Sequence, residues 1–181
     1  MSNVTFRFIK SDLTQVSSQF SFQPINNYPV LVGSSLANAD EITSSYSPAT
    51  LSIPDNLYQV ETFGNDWYIS ASNNVYTLIS GSVISASVCT VNFSVLNNDN
   101  TPSNGSLISI SPINDNVIYT NAGTSSFVLG DEINNYTDAN GGLVVSLLSQ
   151  LYQVTLKGKY RDTIFTMLPS GSNGNVKDFI C

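Results

Sequence analysis

The side chains that most often perform catalysis are scarce in this sequence. The chain has no histidine, which removes the commonest general base, the usual member of a catalytic triad and the most frequent metal ligand. The two cysteines, Cys89 and Cys181, therefore have no histidine partner, and two thiols alone cannot complete a zinc site. No phosphate-binding or dinucleotide-binding glycine motif occurs. We predict that the protein is not an enzyme and uses no metal or cofactor.

Two pairs of adjacent carboxylates are the remaining candidates for chemistry. They are Asp40 with Glu41 and Asp131 with Glu132, at similar places in the two halves of the chain. Such pairs could ligate calcium or act as a glycosidase couple. Adjacent residues on an extended chain point to opposite faces, so neither pair forms an acid–base couple by itself. We interpret both pairs as solvated loop charge.

Aromatic side chains could instead contact a partner. Trp67, Tyr68 and Tyr76 follow one another closely, and such rings can stack on a sugar or anchor a protein. The alternative is that Trp67 belongs to a core between two sheets. We name these three residues as candidate contacts with a partner or a glycan, and favour the core for the tryptophan.

The carboxyl-terminal segment offers a second candidate contact. A stretch rich in Ser, Gly and Asn precedes the apolar end formed by Phe179, Ile180 and Cys181. This end could be the last strand of a domain or an arm that docks on a neighbouring molecule. A disulfide between Cys89 and Cys181 is conceivable, but we expect Cys89 to be a buried thiol.

The charge distribution excludes several classes of partner. Net charge is −7, and no Lys or Arg occurs from Ser11 to Leu156. A surface without cations cannot neutralise phosphates, so we predict binding neither to nucleic acid nor to an anionic membrane. The sequence begins with Met and has no signal-peptide pattern. We expect synthesis in a host cytoplasm without a signal peptide.

The elements that must position these residues are strands. Val4, Phe6 and Phe8 alternate with polar residues, as do Phe20 and Phe22, which is typical of strands with one face in a core. Turn-forming residues separate such segments about every 8–12 residues. No segment has convincing helical periodicity, so we predict an all-β chain with essentially no helix.

The strand pattern occurs twice. Leu57–Val60 recurs as Leu151–Val154, with the same four letters. Three further matches keep the order and the apolar phase, and they align 4–8 with 91–95, 20–26 with 108–114, and 49–53 with 143–147. We predict a duplicated unit, with a first domain over 1–86 and a second over 87–181.

The second copy resembles a known family. It has a turn with Asp99, Pro102 and Gly105, then a Thr-Asp-Ala-x-Gly turn at 137–141 and the Leu-Tyr-x-Val strand at 151–154. This arrangement is similar to the transthyretin-like, carboxypeptidase-regulatory-like Ig-type sandwich. The first copy is degenerate in its turns. The resemblance implies two tandem Ig-like antiparallel β-sandwiches, a type that recurs as non-catalytic modules of surface proteins and of tailed-phage virions.

The functional expectation follows from these points together. We expect a non-enzymatic structural component of a bacteriophage virion, such as a capsid decoration, neck or tail-fibre protein. Its partners would be other virion proteins and copies of itself, because a low density of charge lowers the cost of forming protein contacts. The alternative is a carbohydrate-binding or adhesion module that recognises a host-surface glycan.

Overall fold

A computed structural model provides the fold. It describes residues 2–25, 30–32, 35–37, 42–85, 88–114, 116–157, 162–169 and 173–180. Within 26–46 and 170–181 only the backbone of these residues is described. The described chain is all-β, and its sheets pack as Ig-like sandwiches, as predicted. Most strand pairings are antiparallel, whereas three are parallel. Within the described residues, no helix is long and apolar enough to cross a membrane.

Many of the strands, such as Ser2–Phe6 and Val88–Leu96, alternate more buried with more exposed side chains, which is the period of two that the sequence predicts. In chain order they are β1 (Ser2–Phe6), β2 (Phe8–Ile9), β3 (Gln15–Val16), β4 (Gln19–Pro24), β5 (Val30–Val32), β6 (Ser35–Ala37), β7 (Ile42–Tyr46), β8 (Ala49–Ile53), β9 (Asn56–Thr62), β10 (Asn65–Ser72), β11 (Val75–Leu78), β12 (Ser82–Ser85), β13 (Val88–Leu96), β14 (Leu107–Pro112), β15 (Val117–Asn121), β16 (Thr124–Val128), β17 (Ile133–Tyr136), β18 (Gly142–Leu148), β19 (Tyr152–Leu156), β20 (Thr163–Met167) and β21 (Asn173–Ile180).

The chain forms two compact units. The first comprises 1–9, 15–85 and 115–129, and the second comprises 10–14, 86–114 and 130–181. Apart from residue 86 at the boundary, the predicted ranges, 1–86 and 87–181, differ from these units in two segments, 10–14 and 115–129. The longer segment is the hairpin of β15 and β16, which belongs to the first unit because its apolar side chains complete that core.

The first unit is built on an aromatic core. One five-stranded sheet has the order β11-β10-β9-β4-β7, another has the order β12-β15-β16-β2-β3, and β1 pairs with β8. Between them lie Phe6, Phe8, Trp67 and Phe127, each 0% exposed. The hairpin contributes Phe127, whose ring centroid lies 5.2 Å from those of Phe8 and Trp67. This core therefore depends on a segment far along the chain.

The second unit is built on an aliphatic core. Its sheets have the orders β18-β13-β21 and β17-β14-β19-β20. Val91, Ile110, Leu147 and Val154 are buried between them. The short segment 10–14 joins this unit through the buried Ser11, whose carbonyl accepts a hydrogen bond from the Leu148 amide at 2.9 Å.

The matched segments of the repeat pair in the same register. In the first unit Val4 lies opposite Leu51, and Phe22 lies opposite Val60. The matched positions in the second unit are the pairs Val91 with Val145 and Ile110 with Val154. The sequence alignment therefore describes equivalent places in two copies of one strand arrangement.

The repeated tetrapeptide carries a tyrosine corner in each copy. The Tyr58 hydroxyl donates to the Pro54 carbonyl at 2.8 Å, and the Tyr152 hydroxyl donates to the Leu148 carbonyl at 2.9 Å. Both acceptors lie four residues upstream of the tyrosine, and both rings are fully buried. A tyrosine bonded back to the chain at a strand corner is a hallmark of Ig-like sandwiches. Both copies need a tyrosine four residues after its carbonyl acceptor, which explains why the Leu-Tyr-Gln-Val motif is identical in the two copies.

Hydrogen bonds account for the turn residues of the second unit. Asp138 Oδ1 accepts from the amides of Asn140 and Gly142, both at 2.8 Å. Gly141 has a φ of +70°, and a Cβ there would overlap the carbonyl oxygen of Val95. The turn thus needs a side-chain acceptor at its start and glycine near its end.

Candidate functional site

Trp67 lies in the core rather than in a binding surface. The ring is 0% exposed, and its Nε1 donates to the Val117 carbonyl at 3.3 Å. A tryptophan so enclosed has no free face on which a sugar could stack. The contact role considered for Trp67 is therefore wrong, and the core alternative is correct.

Tyr76 is also largely enclosed. The residue is 9% exposed, and its ring stacks on that of Phe127 with centroids 4.9 Å apart. Burial is the main cause that raises the pKa of the Tyr76 phenol, so the hydroxyl keeps its proton at neutral pH. Of the predicted aromatic contacts, Tyr76 therefore has no free ring face to offer a partner.

Tyr68 is the predicted aromatic that reaches the surface of the sheet. It is half-buried, and it follows Trp67 in β10, so it points to the opposite face. Its cross-strand neighbour in β9 is Gln59, which in turn lies opposite Gln23 in β4. Tyr68 therefore ends a row of amide side chains across the outer face of the first unit.

Hydrogen bonds order the side chains of this face. Gln23 Nε2 donates to Gln59 Oε1 at 2.9 Å, and Gln59 Nε2 donates to Asp66 Oδ1 at 3.3 Å. A depression of about 200 Å³ is lined by Ser21, Gln23, Gln59 and Glu61. These four residues, together with Asp66 and Tyr68, form a surface that we call the amide face. Its donors and acceptors suit a hydroxylated ligand or a polar protein surface.

The amide face contains a carboxylate pair that the sequence analysis missed. Asp66 and Glu61 lie directly opposite each other across the hairpin of β9 and β10. The two acids are separated by a turn with positive φ at Phe63 and Gly64, and a hairpin register read from that turn could have found them.

The carboxylate pairs predicted from sequence do not form a site in the described chain. Asp40 and Glu41 lie outside the described residues. Asp131 Oδ2 lies 3.6 Å from Lys10 Nζ, and Glu132 Oε2 accepts a hydrogen bond from Ser111 at 3.3 Å. The two acids thus face different partners, which agrees with their interpretation as surface charge. The described residues contain no cluster of three or more His, Cys, Asp or Glu that could hold a metal ion.

The carboxyl-terminal segment forms a strand of the second unit. The backbone of β21 runs parallel to β13, with Phe179 opposite Val95 and Ile180 opposite Leu96. Of the two alternatives for this segment, the structure has the strand. The side chains of Phe179 and Ile180, and the whole of Cys181, lie outside the described part. Cys89 is a buried free thiol.

The sheet edges share a feature that sequence analysis did not anticipate. β11, β12, β17, β18 and β20 each pair on one side only within the described strands, and none contains a charged residue. Each exposes one large apolar or aromatic side chain: Val75, Val83, Tyr136, Val144 and Ile164. Edge strands of soluble proteins are usually protected by charge, proline or bulges. These uncharged edges are therefore suited to contact another protein.

Comparison with known proteins yields one distant structural likeness to report. No protein-family model matches the chain, and no curated protein matches it. A solved structure described as a Streptococcal ancillary pilin aligns with a TM-score of 0.36 and 13% identity. The alignment covers 97% of this chain and 61% of that pilin chain, so this chain spans less than two thirds of it.

Proposed function

We propose that the protein is a non-enzymatic structural component of a bacteriophage virion and acts through contacts with copies of itself and with other virion proteins. The uncharged sheet edges carry this proposal. An unprotected edge offers free backbone groups to a strand of another molecule, and an apolar side chain beside them adds contact area. Five such edges favour repeated protein contacts over a single binding pocket.

The surface composition supports the same function. Only 10% of residues are charged, so the neighbouring surfaces of an assembly would have few ions to desolvate. The scarcity of cations argues against nucleic acid and anionic membrane as the partner. A virion is the proposed location because it is a multi-copy shell or tail built from protein contacts of this kind.

Charge placed on the edges tests this function. Val144→Lys and Ile164→Lys put a cation on the exposed side of β18 and β20, where neither side chain is buried. We expect the unmodified chain to self-associate in sedimentation velocity and the variants to shift toward monomer. Ile113→Lys is the matched control, since Ile113 is exposed but follows the central strand β14. It should leave association unchanged.

The particle itself provides the second measurement. Mass spectrometry of purified virions from a host that produces this chain should detect it at a stoichiometry of many copies. Absence from purified particles, together with a monomer at all concentrations, would contradict the proposal. Genes for capsid, portal or tail proteins beside its own gene would support it.

A carbohydrate-binding or adhesion module is the second candidate, and the amide face favours it. A half-buried tyrosine beside amides and carboxylates can stack on a sugar ring and bond its hydroxyls. A glycan array should then give hits that Tyr68→Ala abolishes. Tyr136→Ala, which removes an exposed tyrosine from β17, is the control. An array without hits would count against this candidate.

A further inference from the structure

A cleft distinct from the amide face lies in the first unit, beside the point where the first strand changes partner. β1 pairs with β8 up to Phe6, and β2 pairs with β16 from Phe8, so Arg7 stands at the switch. The cleft has a volume of about 230 Å³. Its lining combines one guanidinium with hydroxyl and amide groups, from Thr5, Arg7, Asn74, Val75, Tyr76, Gly123, Thr124 and Ser125.

Two of the residues that line this cleft each hold a buried polar atom without a hydrogen-bond partner. These atoms are Nε of Arg7 and the hydroxyl oxygen of Tyr76, while Tyr76 itself is 9% exposed. The two fully buried tyrosines of the described chain, Tyr58 and Tyr152, both donate to backbone carbonyls. An unpaired buried polar group is costly, so a donor left without an acceptor marks a place where an acceptor can bind.

The charges define what kind of acceptor fits. Arg7 is the single Lys or Arg in the sequence of the first unit, and it makes no ion pair with a described carboxylate. The Tyr76 phenol stays protonated, because burial raises its pKa more than the nearby Arg7 lowers it. A guanidinium and a phenol together therefore present donors to one acceptor. One positive charge matches one negative charge.

The rim of the cleft adds neutral hydrogen-bonding groups. Thr5 Oγ1 is bonded to Thr50 Oγ1 at 2.8 Å, and Ser125 Oγ lies 3.2 Å from Thr120 Oγ1. The Asn74 side-chain oxygen accepts from the Asn3 amide at 2.8 Å, which fixes its orientation and leaves its NH₂ group as a donor. Such hydroxyls and amides complement the hydroxyls of a ligand.

The volume limits the size of the ligand. Pockets for drug-sized molecules measure roughly 300–1,000 Å³, whereas one water molecule occupies about 30 Å³. At about 230 Å³ the cleft suits a group of monosaccharide size.

We propose that this cleft binds a small hydroxylated carboxylate of the sugar-acid class, with the carboxylate on Arg7 and Tyr76 and the ligand hydroxyls on the rim. The Arg7 guanidinium and the Tyr76 phenol donate to the carboxylate oxygens, and charge-assisted bonds of this kind are the strong ones. A phosphate dianion fits less well. Arg7 compensates one of its two negative charges, and the net charge of the chain, −7, disfavours the second. Binding at this cleft does not depend on whether the protein functions in assembly or in adhesion.

Titration of the full chain with four probes tests the proposal. Glucuronate should bind saturably by calorimetry, glucose should not bind, and acetate and inorganic phosphate should bind more weakly than glucuronate. Arg7→Met and Tyr76→Phe should each weaken glucuronate binding about tenfold or more. Tyr58→Phe removes a buried hydroxyl from the same unit away from the cleft, and it should leave the affinity unchanged.

Several results would overturn the assignment. Equal affinities for glucuronate and glucose would contradict the site, because the ligand carboxylate would then have no role. Tighter binding of phosphate than of glucuronate would contradict a single-charge ligand, and equal binding of acetate would contradict the role of the rim. The absence of saturable binding of glucuronate would contradict a sugar-acid site in this cleft. If Arg7→Met fails to fold, Tyr76→Phe still tests the site. Tyr76→Phe removes a single oxygen atom that has no hydrogen-bond partner, so this variant should fold.

Discussion

The cores of the two units differ although their strands pair in the same register. The first core holds eight aromatic rings, and every aromatic contact measured in the described chain lies within it: Phe6, Phe8, Phe20, Phe22, Tyr58, Trp67, Tyr76 and Phe127. The second core is mainly Val, Ile and Leu, and its buried rings are Phe93 and Tyr152. The same strand arrangement thus encloses an aromatic core in one unit and an aliphatic core in the other.

The difference explains why the first unit needs an additional hairpin. Phe8 and Phe20 stand where the second copy has Val95 and Ile108, so the first core contains larger and flatter groups. Aromatic rings gain most from neighbouring rings at centroid distances of about 4.5–7 Å. Phe127 supplies such a neighbour to four of them at once. The register of a sheet is therefore shared by the copies, whereas the side chains decide which further segments complete each core.

The largest expected effect tests this role of the hairpin. Phe127→Ala should lower the free energy of unfolding by about 3–5 kcal/mol, since it removes a fully buried ring. Urea unfolding followed by the fluorescence of Trp67, the single tryptophan, reports on the first unit.

Leu147→Ala is the matched change in the second core. We expect hydrogen exchange to accelerate in β9, β10 and β16 for Phe127→Ala, and in β13, β18 and β19 for Leu147→Ala. If Phe127→Ala instead accelerated exchange in β14 and β17, which flank the hairpin in sequence, the hairpin would belong to the second unit.

The turns of the second unit give the next largest effect. Gly105→Ala and Gly141→Ala both force a residue with a side chain to adopt a φ of +70°. That conformation costs about 1–2 kcal/mol. Only at Gly141 does the new Cβ meet backbone, at the Val95 carbonyl, while Gly105 has open space. Gly141→Ala should therefore cost roughly 1–3 kcal/mol more in thermal or urea unfolding. Equal losses would contradict the close packing of this turn.

Three of the buried tyrosines, Tyr58, Tyr76 and Tyr152, provide a finer contrast. Tyr152→Phe leaves the Leu148 carbonyl without its 2.9 Å donor, and it should cost about 1–2 kcal/mol in urea unfolding. Tyr58→Phe should behave alike, because its tyrosine corner has the same geometry. Tyr76→Phe should cost nothing, since its hydroxyl has no partner. A loss at Tyr76 as large as at Tyr152 would reveal a hydrogen bond to a bound group.

The last expected effect is confined to high pH, where the protein loses stability. Burial raises the pKa values of Tyr58 and Tyr152 to about 12. In the unfolded chain tyrosine loses its proton near pH 10. Between these values the folded protein binds more protons than the unfolded chain, so stability falls as pH rises from about 10 to about 12. Urea midpoints at about pH 9 and about pH 11 measure this fall, and the double variant of both tyrosines to Phe should reduce it.

Much of the fold follows from the period of two in the sequence. The alternation of Val4, Phe6 and Phe8 places them inward, and the four matched segments anticipate the pairing of both copies. The same rule separates Trp67 from Tyr68, because neighbours in a strand face opposite ways. The fold class and the core position of the tryptophan could thus be predicted.

Other features depend on contacts that periodicity does not encode. The segment 117–128 has the apolar ends and the central glycine turn of an ordinary hairpin, so its pattern does not reveal that Phe127 packs on Phe6 and Phe8. The cleft arises where Arg7, the turn before Tyr76 and the tip of the hairpin meet, and these lie far apart in sequence. The carboxylates Asp66 and Glu61 come together only through the register of β9 and β10.

The exchange of short segments between the units has a consequence for synthesis. When the ribosome has made the first 85 residues, Phe127 and its hairpin have not yet been added, so the aromatic core of the first unit cannot close. Domains commonly fold in order from the amino terminus as they emerge. Here the earlier unit must wait until residue 129 is free of the exit tunnel, by which time β13 and β14 of the later unit have been translated. A gene divided at codon 86 would therefore encode two incomplete halves rather than two domains.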